Sequence, residues 1–137
     1  MNQLKGTITA IESNGHMSLV DVAVGGDMFS ATLLEAPETV DYLKAGSPVT
    51  LLFKETEVAL AKDLNGLISL RNRFAATVQD IERGDILSAI KLEYAGYALT
   101  SIITTRSVAR LQLVAGDKVE ALIKANEIVL MEGHHDA

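Results

Sequence analysis

Five side chains in the second half of the chain, Ser69, Arg71, Thr104, Ser107 and Lys124, can all donate hydrogen bonds, and two of them carry fixed positive charge. Ser69 and Arg71 are two residues apart, so in a strand both leave the same face, opposite Ile68 and Leu70. Thr104 and Ser107 are three apart at an expected helix start, where hydroxyls cap and free backbone N–H groups lie at the positive end of the helix dipole. With no carboxylate or histidine assigned to the set, the chemistry suits an oxyanion that carries no proton. Such an ion is a tetrahedral dianion, and Arg and Lys bind its oxygens about twice as strongly as neutral donors do.

The elements that must position these groups come from a repeat. A shift of 70 residues lays the second half on the first without a gap: Asn2 meets Asn72, Ile11-Glu12 meets Ile81-Glu82, and Leu43, Gly46, Val49 and Lys54 meet Leu113, Gly116, Val119 and Lys124. In MSLVDVAV the residues Val20, Val22 and Val24 share one face, and Ile90, Leu92 and Tyr94 do so in the copy, which predicts strands with one buried side. Gly25-Gly26 and Ala95-Gly96 read as hairpin turns. PETVDYLKAG and TRSVARLQLVAG each predict a short helix, the first with Pro37 in its opening turn and Gly46 at its stop. Two further strands follow each helix and are expected to close their own unit. Each repeat thus reads as five strands with a helix between the third and fourth, the order of a small OB-like barrel. The boundaries are 1–63 for repeat 1 and 67–132 for repeat 2, with 133–137 as a tail. Units this small bury too little surface alone, so the copies are expected to pack on each other or on other chains.

The donor set is not shared by the two copies. Repeat 1 begins at Met1-Asn2 with no Ser-x-Arg ahead of it, and offers Leu34 and Pro37 where repeat 2 has Thr104 and Ser107. Only Lys54 answers Lys124, which makes it a possible secondary ligand. Composition narrows the function further. Of 137 residues, 18 are acidic and 12 basic, a net charge of −6 that disfavours nucleic acid and anionic membrane surfaces. There is no cysteine for a disulfide or thiolate metal site, and no apolar run long enough to span a bilayer or act as a secretory signal, so the chain reads as cytoplasmic. A nucleophile beside a base is not found, so an enzyme is not expected and no organic cofactor is implied. Sulfate, molybdate and tungstate all satisfy the dianion requirement; phosphate keeps a proton in part.

Ser69-Leu70-Arg71-Asn72 opening a unit, followed by an Ala-Gly turn and the Lys-Ala pattern of IKANEIVL, resembles the molbindin or Mop family of molybdate-binding domains. The likeness covers nearly the whole chain and matches the family's two-repeat members. It implies a mostly β fold of two tandem OB-like five-stranded barrels of the TOBE/Mop type, each with one short helix. It also implies that Ser69, Arg71, Asn72 and Lys124 hold molybdate or tungstate, with Thr104 and Ser107 contributed across an interface of a homotrimer, or alternatively a homodimer. Without DNA-binding helices ahead of the repeats, a stand-alone binder for storage, buffering or delivery is expected rather than a complete transcription factor. Two alternatives are a regulatory OB-like module of a transporter or transcriptional regulator, and a single-stranded nucleic-acid module, which the dispersed aromatics oppose.

Each residue also has a plain structural reading. Arg71 can be a surface charge or the partner of a nearby glutamate, Thr104 and Ser107 helix caps, and Lys54 and Lys124 strand-end lysines lying along apolar surface. His134-His135 read as a chain end and His16 as a loop residue.

Overall fold

The computed structural model describes residues 1–133, so His134 and His135 lie outside the described residues. Repeat 1 contributes β1 (Asn2–Asn14), β2 (Met17–Val24), β3 (Asp27–Leu33), β4 (Pro48–Phe53) and β5 (Ala59–Ala61). Repeat 2 contributes β6 (Asn72–Arg83), β7 (Leu87–Tyr94), β8 (Tyr97–Thr104), α1 (Thr105–Leu111), β9 (Lys118–Ile123) and β10 (Val129–Glu132). The alternation expected from sequence holds: Val20, Val22 and Val24, and likewise Ile90, Leu92 and Tyr94, are buried. Each second hairpin turns through left-handed backbone, at Gly25 (φ 58°) in one copy and at Ala95 (φ 48°) and Gly96 (φ 87°) in the other.

The repeat extends to hydrogen-bonding detail. The register of β1 against β2 slips between Ile8 and Ala10, and that of β6 against β7 between Val78 and Asp80, so each long strand is bulged 70 residues apart. Beside the bulges, the Gly46 N–H donates to Ile8 (2.8 Å) and the Gly116 N–H to Val78 (2.7 Å).

The strands do not close their own units. One antiparallel sheet has the order β10-β4-β1-β2-β3 and the other β5-β9-β6-β7-β8. The fifth strand of each repeat therefore finishes the sheet of the other: Leu130 pairs with Leu51, and Leu60 with Ala121. Between β4 and β5 the chain makes a single 3-10 turn, Glu55–Glu57, flanked by extended backbone at Lys54 and Val58. Such a turn carries the chain onward instead of reversing it beside β4. The copy, Ala125–Glu127, behaves identically. Gly133, assigned from sequence to the tail, donates its N–H to Pro48 (3.0 Å) beside β4.

A second expectation is corrected in repeat 1. Residues 37–46 form consecutive turns, and α1 is the one α-helix among the described residues. The difference lies at the start. Thr104 accepts the Ser107 N–H (3.1 Å) and caps α1, whereas Leu34, its equivalent, has no oxygen to offer. β-Branched Thr39 and Val40 weaken the helix further, and Thr39 Oγ1 bonds the Ala36 carbonyl (3.0 Å) instead.

The repeats share one core, as the small unit size requires. Phe29 of repeat 1 lies 5.4 Å from Phe74 and 6.3 Å from Tyr94 of repeat 2, measured between ring centroids, and Tyr94 donates to the Asp27 carboxylate at 2.6 Å. Lys62, just past β5, donates to the carbonyls of Leu111 and Gln112 at the end of α1 and pairs with Asp117 at 3.0 Å. Bonds from the Val114 N–H, then from Lys62, hold the Asp117 carboxyl below its ordinary range. The chain end of one repeat thus fixes the helix of the other. None of the described helices is long and apolar enough to cross a membrane.

Candidate functional site

Two adjoining cavities meet where the segment entering β6, the end of β9 and the end of β8 converge. The larger, about 610 Å³, has Ser69, Thr104, Ser107 and Lys124 in its wall. The smaller, about 250 Å³, is lined by Thr32, Ser69, Leu70, Arg71, Lys124, Ala125 and Asn126. Ser69 and Lys124 border both. Four of the expected residues are therefore gathered on one wall system, and Arg71 joins them from the side of the smaller cavity alone.

Ser69 and Arg71 do not lie in a strand. β6 begins at Asn72 because its partner β9 ends at Ile123, so nothing pairs with the residues ahead of Asn72. Arg71 and Lys124 flank that terminal Asn72–Ile123 pair, and both are exposed. Among the described residues neither cation pairs with a carboxylate. Arg73, two residues on, makes the structural ion pair instead, gripping Glu120 with two bonds of 2.9 and 3.1 Å. That pair raises the Arg73 guanidinium and lowers the Glu120 carboxyl from their ordinary values. The glutamate partnership offered for Arg71 thus belongs to its neighbour, and Arg71 itself is an exposed charge.

Thr104 keeps its capping role while facing the larger cavity. Its Oγ1 donates to Ser107 Oγ (2.9 Å) and accepts from the Ser107 N–H, which leaves the Ser107 hydroxyl hydrogen to point elsewhere. Thr104 and Ser107 share the wall of the larger cavity with Ser69 and Lys124 of the same chain.

Two expectations fail. Asn72 is fully buried, and its amide is engaged throughout: Oδ1 accepts from the Ser30 N–H (2.7 Å), and Nδ2 donates to the carbonyls of Ser30 (2.9 Å) and Ile123 (3.0 Å). No side-chain donor remains for a ligand. The donor set is also not free of carboxylates, since Glu57 and Glu127, each in the 3-10 turn after its lysine, line the larger cavity. Their signal was present in the sequence as a matched pair, three residues after Lys54 and Lys124. The smaller cavity does meet the condition, because among the described residues no carboxylate lines it. Two cations, two hydroxyls and the Asn126 amide surround a space whose electrostatics favour an unprotonated dianion. Thr32 and Asn126 were missed; Thr32 comes from repeat 1 and is found only once the packing of β3 is known. Lys54 matches Lys124 in backbone geometry, yet it lines neither of these cavities.

The TOBE domain model matches the chain twice, over residues 1–60 and 68–130. The chain belongs to the TOBE family, in its tandem molbindin form. The TOBE pair is 31% identical over 132 residues to the molybdenum transport protein ModE of Herbaspirillum seropedicae, covering 94% of this chain and 49% of that one. It is 32% identical over 123 residues to the molybdenum import ATP-binding protein ModC of Brucella abortus, covering 89% and 32%. It therefore spans half or less of the length of these curated relatives. The crystal structure of the cytoplasmic molybdate-binding protein ModG, with molybdate bound, superposes with a TM-score of 0.90 at 32% identity and covers 96% of each chain.

Proposed function

We propose that the chain binds molybdate or tungstate as the free oxyanion, for storage or buffering in the cytoplasm. One observation carries this reading: Arg71 and Lys124, neither paired with a carboxylate among the described residues, line one small cavity with Ser69, Thr32 and Asn126. Arg71 and Lys124 supply the charge and the hydroxyls the direction. Thr104 and Ser107 present a second hydroxyl pair on the far side of Ser69 and Lys124, suited to complete a site when copies assemble as a homotrimer. Within the stretches 1–63 and 67–132, the competent site belongs to the second. Repeat 1 lacks the Arg71 equivalent and both helix hydroxyls, and Lys54 alone is a weak substitute. The likeness to ModG, whose structure contains molybdate, supports the same ligand.

Burial of Phe29, Phe53, Phe74 and Tyr94 leaves only the half-buried Tyr42 and Tyr97 as aromatic surface, which opposes a single-stranded nucleic-acid reader. A regulatory role within a larger assembly is the second reading, favoured by the matching segments that form only part of the longer ModE and ModC proteins.

Titration calorimetry with molybdate, tungstate, sulfate and phosphate tests the first reading. Saturable heat with molybdate or tungstate, and less with phosphate, is expected; equal indifference to all four ions defeats it. Losing one charged partner of such an ion typically costs about 2 to 5 kcal/mol, so Arg71→Ala should weaken binding roughly thirtyfold or more.

A further inference from the structure

The geometry points to Asn72 as a positioning residue that sets the separation of Arg71 and Lys124 and ties it to repeat 1; this rests on the proposed oxyanion site. Three strands meet at its amide. Asn72 directly follows Arg71, and the carbonyl it grips is that of Ile123, directly before Lys124. Its other two bonds hold both backbone groups of Ser30, two residues before Thr32 in the wall of the smaller cavity. The two cations and the repeat 1 side of that cavity are thus each within two residues of an atom the same amide holds.

The repeat supplies an internal control. Asn2, the counterpart of Asn72, donates to the Thr100 carbonyl and accepts the Thr100 N–H, both at 2.8 Å, so each repeat's first asparagine clamps the other repeat's third strand. Thr100 is the counterpart of Ser30, which makes the clamps reciprocal. They differ in one bond. Asn72 also holds the strand end that carries Lys124, whereas among the described residues the side-chain bonds of Asn2 reach only Thr100. Both clamps should stabilise the fold, and only one should govern the ligand. An oxyanion held by two cations on adjacent strand ends is sensitive to their spacing, and loss of a residue that orients ligating groups typically lowers affinity about 10- to 100-fold.

The test compares Asn72→Ala with Asn2→Ala by titration with tungstate and sulfate, alongside thermal unfolding. Both variants should unfold at lower temperature. Asn72→Ala should lose about tenfold or more in tungstate affinity and narrow the tungstate-to-sulfate ratio, while Asn2→Ala stays within about twofold of wild type. Equal affinity losses in both, or unchanged affinity and ratio in Asn72→Ala, overturn the inference. Wild type that binds neither ion defeats the underlying site reading, a distinct result. Should Asn72→Ala not fold, hydrogen exchange of wild type decides: tungstate should protect the Ser30 amide more than the Thr100 amide, and equal protection of the two overturns the inference.

Discussion

Truncating Leu130 tests the exchange of the closing strands. This side chain belongs to the last strand of repeat 2, yet it pairs with Leu51 and is 7% exposed over the core of repeat 1. Buried Leu→Ala changes cost about 2 to 5 kcal/mol, and an edge strand can partly relax, so a loss of about 3 kcal/mol is expected. For a chain of this size that corresponds to a fall in Tm of about 10 °C. The core is continuous across both repeats, so unfolding should remain a single transition. Hydrogen exchange then locates the damage. Amides of β4 in repeat 1 should lose protection first, although the substitution lies about 80 residues away along the chain. Two separated transitions, or loosening confined to β6 and β9 with β4 unchanged, would refute the exchanged pairing.

Thr104→Ala removes the cap of α1 and should cost about 1 kcal/mol, which Thr104→Ser should largely restore; chemical denaturation measures both. Tyr94 makes stability depend on alkaline pH. Burial first, and then its bond to the Asp27 carboxylate, raise the phenol above its ordinary value of 10.0, so its contribution is full below pH 10 and is lost as pH rises further. Tyr94→Phe should be less stable at neutral pH by about 1 kcal/mol and should lack that part of the alkaline decline; an unchanged decline would remove Tyr94 as its source.

Much of this architecture could be read from residue order. The 70-residue repeat, the buried faces of β2 and β7 and the hairpin turns follow from local alternation and backbone preference, which the sequence states directly. Partnership between strands does not. Nothing in Val129–Glu132 says whether it returns to its own sheet, because its alternation suits either edge and the 3-10 turn before it decides the direction. The helix expected over residues 37–46 does not form for a related reason: Pro37 and Gly46 suit helix ends, but the missing cap at Leu34 outweighs them. At the candidate site, Ser69 and Arg71 are legible as polar departures from the repeat, and Lys124 as a lysine that the repeat shares at Lys54. Asn72 was named for its place in the motif and misassigned, since only the packing of β3 reveals that its amide is already engaged.

Crystals grown or soaked with tungstate place the ion without recourse to affinity. The anomalous peak of tungsten should lie between the Arg71 guanidinium and the Lys124 ammonium, within bonding reach of Ser69, and should vanish in Arg71→Ala. A peak beside Lys54, or an empty smaller cavity in a crystal that holds tungstate elsewhere, would contradict the assignment of the site.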